Sequence, residues 1–503
     1  MPAMEGQARH ANSANGVTPP SSASTSTSAS DSDEPAKNLV MRNGRDAEHQ
    51  TANWIKESGA RYLRIYWHDY TSSAKCRVVP IERVRENFEA GTKPFTLSVS
   101  KAMLGILPND TLVPGVTGTG MYTLQPDWAT LRQGPAPEHI SCAAYLLDAS
   151  ADPPSSPGSR ARLCPRAILD RAIQHAASAA GGGLTFLVGF EVEFTLLERT
   201  GDPEAKYRRL SRDDDGHAYA AARALAGWGT PGSAGTAAGE ILAALARAGL
   251  RVEQFHAEAG AGQFEVVLAP LAPLAACDAL LHARQVVESG AARHGLRATL
   301  HPRPFPGGIG NGAHVHLSLA SAGGGCSGDD RRVYERFYGG VLAHFRALFA
   351  FTNAHPASYE RVADGIWAGG RWATWGVHNK EAPLRKCEGS HWEVKVMDGM
   401  ANPYLALAAI ISAGTAGADE FTWRDCPVDP ATLSGEERAA LGIVEQFPAS
   451  LEEALEALER DDVMVDLLGK DVVDRYVAVK KAEIKLLHSI PEQSRRMWVM
   501  ERY

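Results

Sequence analysis

Residues 184–198 read LTFLVGFEVEFTLLE, and their alternation decides how the rest of the chain is read. Val192, Phe194 and Leu196 fall on one face of a strand, while Glu191 and Glu193 fall together on the other. Three later stretches repeat the arrangement. QFHAEAGAGQFEVVL (254–268) carries Glu258 and then Glu265, the latter on a strand whose Phe264, Val266 and Leu268 face away. GNGAHVHLSL (310–319) sets His314, His316 and Ser318 against Val315, Leu317 and Leu319, and HWEVKV (391–396) sets Glu393 and Lys395 against Trp392, Val394 and Val396.

Any one of these segments reads as a half-buried strand with a solvated polar face. Acids collected on neighbouring strands, however, repel one another unless a cation sits among them. The set Glu191, Glu193, Glu258, Glu265, Glu393 and His314 offers hard oxygen donors, few imidazoles and no thiolate, which favours Mg²⁺ or Mn²⁺ over zinc. Six ligands are enough for two ions sharing one cavity, and a two-metal site binds phosphate. The glycines of 307–312 are no dinucleotide fingerprint, because the strand, spacing and downstream acid of that motif are absent.

Composition bounds the remainder. A chain of 503 residues implies about two to four folding units. A formal charge of −8 leaves no basic footprint for nucleic acid or for an anionic membrane surface. The seven cysteines are scattered without a CxxC pair, so neither a disulfide framework nor a zinc knuckle is expected. The longest apolar stretch, LALAAIISAGTAGA from Leu405, is shorter than the run of about 18 to 20 residues that spans a bilayer and reads as a buried helix. The start of the chain has no basic, apolar leader, so the expected location is the cytoplasm.

Along the chain, residues 1–38 form a Ser/Thr/Pro-rich tract expected to be a disordered tail. RYLRIYWHD, a turn, a short strand at Arg77–Val79 and a helix, IERVRENFEAG, closed by Gly91 then suggest a small α+β unit over 49–150. ADPPSSPGSR (151–160) reads as a linker, and Pro165 opens a helix, stopped by the glycines at 181–183, that begins a second domain, 161–503.

In order and spacing, GFEVEF, HAEAGAGQFE, GNGAHVHLS, YERVADGIWAG, WGVHNKEAPLR and HWEVKVMDGMANPYLALA resemble the class I glutamine synthetase family, from about residue 50 to the end. The variant details look most like the branch of the fungal FluG-type proteins and lengsin, and the amidohydrolase domain that precedes this region in FluG proteins is expected to be absent. The resemblance implies an α+β fold: a small β-grasp N-terminal domain, then a catalytic domain whose curved antiparallel sheet is flanked by helices. It implies an ATP-dependent ligase that phosphorylates the γ-carboxylate of glutamate and lets an amine attack the acyl phosphate. Two Mg²⁺ or Mn²⁺ ions are implied per site, with Glu193, Glu258 and Glu265 on the glutamate side and Glu191, His314 and Glu393 on the nucleotide side. His316, Ser318, Lys380 and Arg385 would serve ATP, with Arg385 also stabilising charge on the transferring phosphoryl group. Gly310, Arg361, Lys395 and Trp367 would meet the substrates. The resemblance further implies a ring homo-oligomer of decamer or dodecamer type, each active site completed by a neighbour's N-terminal domain.

The sequence departs from true glutamine synthetases where ammonia is handled. Trp367 stands where the family carries a glutamate that takes a proton from ammonium. The N-terminal-domain loop that normally supplies an aspartate reads GTKPFTLSVSKA (91–102), with no acid. Losing one carboxylate about 4 Å from a cation removes roughly 4 kcal/mol of attraction at an effective dielectric of about 20. Lys380 and Lys395 replace common arginines, keeping charge without the bidentate fork. The expected enzyme therefore joins glutamate to ammonia or, in preference, to a larger amine, with Asp364 as a substitute base; the alternative is a non-catalytic assembly protein of the lengsin kind. Indole offers only a donor, so Trp367 cannot accept the proton. Trp367→Glu is predicted to raise ammonia-dependent glutamine formation and to lower turnover of bulkier amines, measured as product formed with each nucleophile; efficient ammonia use unaffected by the change would refute this reading of the loop.

Overall fold

Six strands, β1 (Tyr62–His68), β2 (Ala74–Pro80), β3 (Leu97–Ser100), β4 (Met121–Pro126), β5 (Arg132–Gln133) and β6 (His139–Asp148), form the first sheet, in the order β2-β1-β6-β4-β3 with β5 on β6. The computed structural model describes residues 45–503 apart from 92, 149–158, 180–182, 203–205, 211–226, 228, 231–232, 322–329 and 419. The expected tail at 1–38 and most of the expected linker lie outside the described residues. β1 buries Leu63, Ile65 and Trp67 as its alternation requires. The turn to β2 is held by Asp69 Oδ1, which accepts from the backbone N–H groups of Thr71 and Ser73. β2 begins three residues before the expected Arg77, because this turn brings Ala74 opposite His68. The helix Ile81–Ala90 ends at Gly91, whose φ of 59° supplies the left-handed cap.

Nine strands make the second sheet: β7 (Leu184–Arg199), β8 (Tyr207–Arg209), β9 (Val252–Ala257), β10 (Gln263–Leu268), β11 (Leu296–Thr299), β12 (Val315–Ser321), β13 (Trp375–Val377), β14 (Leu384–Glu388) and β15 (His391–Val394). Their order is β13-β14-β15-β12-β7-β10-β9, with β8 and β11 also on β7. All pairings are antiparallel except β13 with β14. β7 is central, and its Phe190, Val192, Phe194 and Leu196 are fully buried, each worth about 1.5–3 kcal/mol. Helices Pro165–Ser178 and Pro273–Arg293 contact β7. Helix Pro403–Ala416, the expected buried helix, is apolar on every side and packs against Pro165–Ser178, Arg331–Ala343 and Phe345–Thr352. The α+β class expected from the sequence is the one observed. No helix among the described residues is long and apolar enough to cross a membrane.

One buried ion pair ties these layers together. Arg166 Nε and Nη2 donate to the two carboxylate oxygens of Asp278 at 3.0 and 2.8 Å, and Nη2 lies 2.7 Å from Asp127, just beyond β4. The hydroxyl of Tyr404 donates to the same Asp278 carboxylate. Removing one partner leaves the other charge buried and uncompensated. Arg166→Ala is expected to destabilise the protein by about 3–5 kcal/mol, read as a large fall in thermal midpoint that Arg166→Lys restores only in part.

Candidate active site

Cross-strand register gathers the acids. Glu193 and Glu265 are direct partners across β7 and β10, and Glu265 in turn faces His256 on β9. On the other side, His316 of β12 faces Glu393 of β15, which faces Arg385 of β14. Residues paired in an antiparallel sheet point to one side, so these strands project their polar groups into a single cavity of about 560 Å³. Glu191, Glu193, Glu258, Glu265, His314, Glu393, Gly310, Arg361, Trp367, Lys380, Arg385 and Lys395, all expected from the sequence, line it.

Two clusters stand out. In the first, His314 Nδ1 lies 2.9 Å from Glu191 Oε2 and 3.2 Å from Glu393 Oε1. In the second, His256 Nε2 lies 3.6 Å from both Glu258 Oε1 and Glu265 Oε1. Glu193 is oriented by Gln263 Nε2 at 2.9 Å and by the backbone N–H of Gly312 at 2.8 Å, both donating to Oε2. Its Oε1 lies 3.6 Å from His314 Nε2, which links the clusters.

Electrostatics distinguishes the acids. Burial, followed by the charges of Glu191, Glu193, Glu258 and Glu393, pushes Glu265 up to about 9. Burial also works to raise Glu191, but hydrogen bonds with His314 and His316 override it and hold that carboxyl well below the usual range. Glu393 is likewise held low against burial, by Lys395 and by His314. Burial opposes protonation of His316, yet hydrogen bonds with Cys387 and Glu191 bring it up to about 10.

Basic groups line the same cavity, in contact with these residues. Arg385 Nε lies 2.5 Å from Glu393 Oε2 and Lys395 Nζ 3.3 Å from Oε1. Arg361, 3% exposed, places Nη2 3.0 Å from His314 Nε2. Two glycines make that approach possible. A Cβ on Gly312 would lie 2.5 Å from His314 Nε2 and 2.6 Å from Arg361 Nη2, and one on Gly310 only 2.2 Å from the carbonyl oxygen of Pro302. Trp367 sits on the cavity wall, 54% exposed, with a left-handed backbone at φ 58° that is uncommon for so bulky a residue.

Three expected site residues are placed differently. His316 does not line the cavity; its Nε2 lies 3.0 Å from Glu191 Oε1 and its Nδ1 2.8 Å from His391 Nε2. Ser318 lies two residues farther along β12, opposite Leu187, and is also off the lining. Asp364, the expected substitute base, is engaged elsewhere: Arg371 donates to its Oδ2 through Nε at 2.8 Å and Nη2 at 2.5 Å, and it does not reach the cavity. The sequence reading passed over His256, Gln263 and Glu381. His256 and Gln263 lie inside HAEAGAGQFE, where only the β9–β10 register reveals their direction.

This donor set fits divalent cations. Glu191, Glu265 and His314, then Glu191, His316 and Glu393, and then His256, Glu258 and Glu265 each bring ligand atoms within 4.8 Å of one another. The raised Glu265 shows the same thing from the side of charge, since the cluster holds more carboxylates than it can ionise without added positive charge.

Comparison with known proteins agrees with the geometry. A family model described as "Glutamine synthetase, catalytic domain" matches residues 162–502. The chain is 38% identical over 448 residues to the protein fluG of Emericella nidulans, covering 88% of this chain and 49% of that one, so it spans about half the length of that relative. It is 35% identical to the gamma-glutamylpolyamine synthetase GlnA3 of Streptomyces coelicolor, covering 74% of this chain and 76% of the relative. Among solved structures, a GmaS complex with ADP superposes with a TM-score of 0.71 at 25% identity, covering 89% and 98% of the two chains.

If the clusters hold divalent cations, Glu393→Gln and His314→Ala should each weaken retention of Mn²⁺ or Mg²⁺ and binding of ATP, because each removes one donor from a hard-cation site. Calorimetry that finds both affinities unchanged in both variants would exclude a two-metal site here.

Proposed function

Because the chain belongs to the glutamine synthetase family, we propose that it is an ATP-dependent carboxylate–amine ligase that activates the γ-carboxylate of glutamate and condenses it with an amine larger than ammonia. The observation that carries this reading is the mixture of charge in one cavity, which five carboxylates of the donor set and His314 line together with Arg361, Lys380, Arg385 and Lys395. Phosphoryl transfer requires this arrangement, because little covalent work falls to the protein and most of the rate comes from positioning and charge. Glu193, Glu258 and Glu265 would hold one divalent ion, Mg²⁺ or Mn²⁺, and Glu191, His314 and Glu393 the other. Such ions, when bound, neutralise the charge of the phosphates and of the activated carboxylate.

The residues of the chain would then act as follows. Arg361, held by the close approach of Gly310 and Gly312, pairs with the α-carboxylate of glutamate, while Gly310 offers its backbone to the same substrate. Arg385 and Lys380 receive the phosphates of ATP, and His316 orients Glu191 from behind. Trp367 presents a half-exposed indole where the amine must enter, which suits an alkyl chain or the face of a cation better than ammonium. The similarity to the Streptomyces relative, a gamma-glutamylpolyamine synthetase, supports the same class of nucleophile.

Assembly into a ring of like subunits is part of this proposal. Among the described residues, none of 91–102 lines this chain's own cavity, as expected if that loop serves a neighbour. A non-catalytic role is disfavoured by the retained acids, whose crowding costs stability unless a cation is bound.

The test is ADP release from ATP with glutamate and Mg²⁺ or Mn²⁺ across ammonia, alkylamines, polyamines and arylamines. Release stimulated more by a larger amine than by ammonia is expected. Failure of every amine to stimulate it would point to the assembly protein instead.

A further inference from the structure

Six carboxylates line the cavity among the described residues, and five of them belong to the metal-donor set. The sixth is Glu381, in the loop between β13 and β14. It shares the wall with Ile366, Trp367 and Ala368. Its loop is anchored from both directions. The Glu381 N–H donates to Asn379 Oδ1 at 2.9 Å, and Asn379 Nδ2 donates to the carbonyls of Cys426 at 2.7 Å and Val428 at 2.9 Å.

The Glu381 side chain is unsatisfied at one oxygen: Oε2 is buried and has no hydrogen-bond partner among the described residues. A shielded carboxylate oxygen left unpaired is costly, and its natural complement is a cationic donor. Asp364, the other acid of this region, is paired through Oδ2 with Arg371 and does not line the cavity.

We propose that Glu381 is the acid of the amine site, where it binds the incoming nucleophile as an alkylammonium ion and then takes its proton. This rests on the ligase reading above and deepens it. Position 367 then contributes an indole face, and position 381 the charge. Burial, with nearby Asp429, pushes Glu381 above the usual carboxylate range against the pull of Lys395, which favours a proton acceptor. In the step itself, R–NH₃⁺ passes one proton to the Glu381 carboxylate. The freed nitrogen lone pair forms the bond to the γ-carbonyl carbon as the carbon–oxygen bond to phosphate breaks. A second nitrogen proton leaves with the phosphate, so the products are the amide, hydrogen phosphate and a protonated Glu381 that returns its proton to solvent.

The experiment compares wild type with Glu381→Gln, which keeps the shape of the side chain and removes its charge. Two nucleophiles are used: n-butylamine, cationic at neutral pH, and hydroxylamine, which is already neutral and has no proton to give up before attack. Turnover of butylamine should fall about 10²-fold, the usual scale for loss of a positioned base, and the loss with hydroxylamine should be at least ~10-fold smaller. Calorimetric binding of butylammonium chloride should weaken in the variant as well. Equal losses with both nucleophiles, unchanged butylamine turnover, or a wild type that neither binds nor uses butylamine would overturn the proposal. Hydroxamate formation by wild type is the separate check on the ligase reading. If it is absent, that reading falls, and the ammonium site is judged on the calorimetry alone.

Discussion

Mutual repulsion among Glu191, Glu193, Glu258, Glu265 and Glu393, all directed to one side of one sheet, is the constraint to which the rest of the structure answers. Two such charges about 4 Å apart cost about 4 kcal/mol even at an effective dielectric of about 20. The opposite face of the sheet supplies the offset. Phe190, Val192, Phe194 and Leu196 on β7, with Phe264 and Val266 on β10, are buried completely. A one-residue slip would exchange these faces and place carboxylates in the core. The charge that makes the site useful therefore depends on the apolar packing that fixes the register.

Partial compensation is already built in. His314 stands between Glu191 and Glu393, while Arg385 and Lys395 take the two oxygens of Glu393. Glu265 has His256 as its ion-pair neighbour among the described residues, and burial with the surrounding glutamates raises its carboxyl to about 9. The protein's own cations thus neutralise the acids around Glu393 more fully than those around Glu265.

The loops divide the remaining work. From buried Arg361 the chain runs to half-exposed Trp367, and the Asp364–Arg371 pair closes the intervening turn. Pairing Asp364 with Arg371 keeps it off the cavity lining, which leaves Glu381 as the lining carboxylate outside the proposed donor set among the described residues.

How much of this was legible in the sequence follows from the range of the forces involved. Period-two alternation is local, so the strand faces at 190–196, 263–268, 314–319 and 391–396, and with them the acids and His314 that line the cavity, could be read from the residues alone. The buried helix at Leu405 was legible for the same reason, since a stretch apolar on every side has nowhere else to go. Direction within a loop is not local. Asp364 looked available because the sequence does not show that Arg371 folds back onto it, and Glu381 looked like one polar residue among several in NKEAPLR. His256 became part of the site only when β9 was paired with β10 in a particular register. The sequence by itself determined which side chains could share a face, because steric alternation follows each residue along the backbone. Tertiary structure alone decided which charged groups meet, because each ion pair and each orphaned oxygen depends on segments brought together by packing the core.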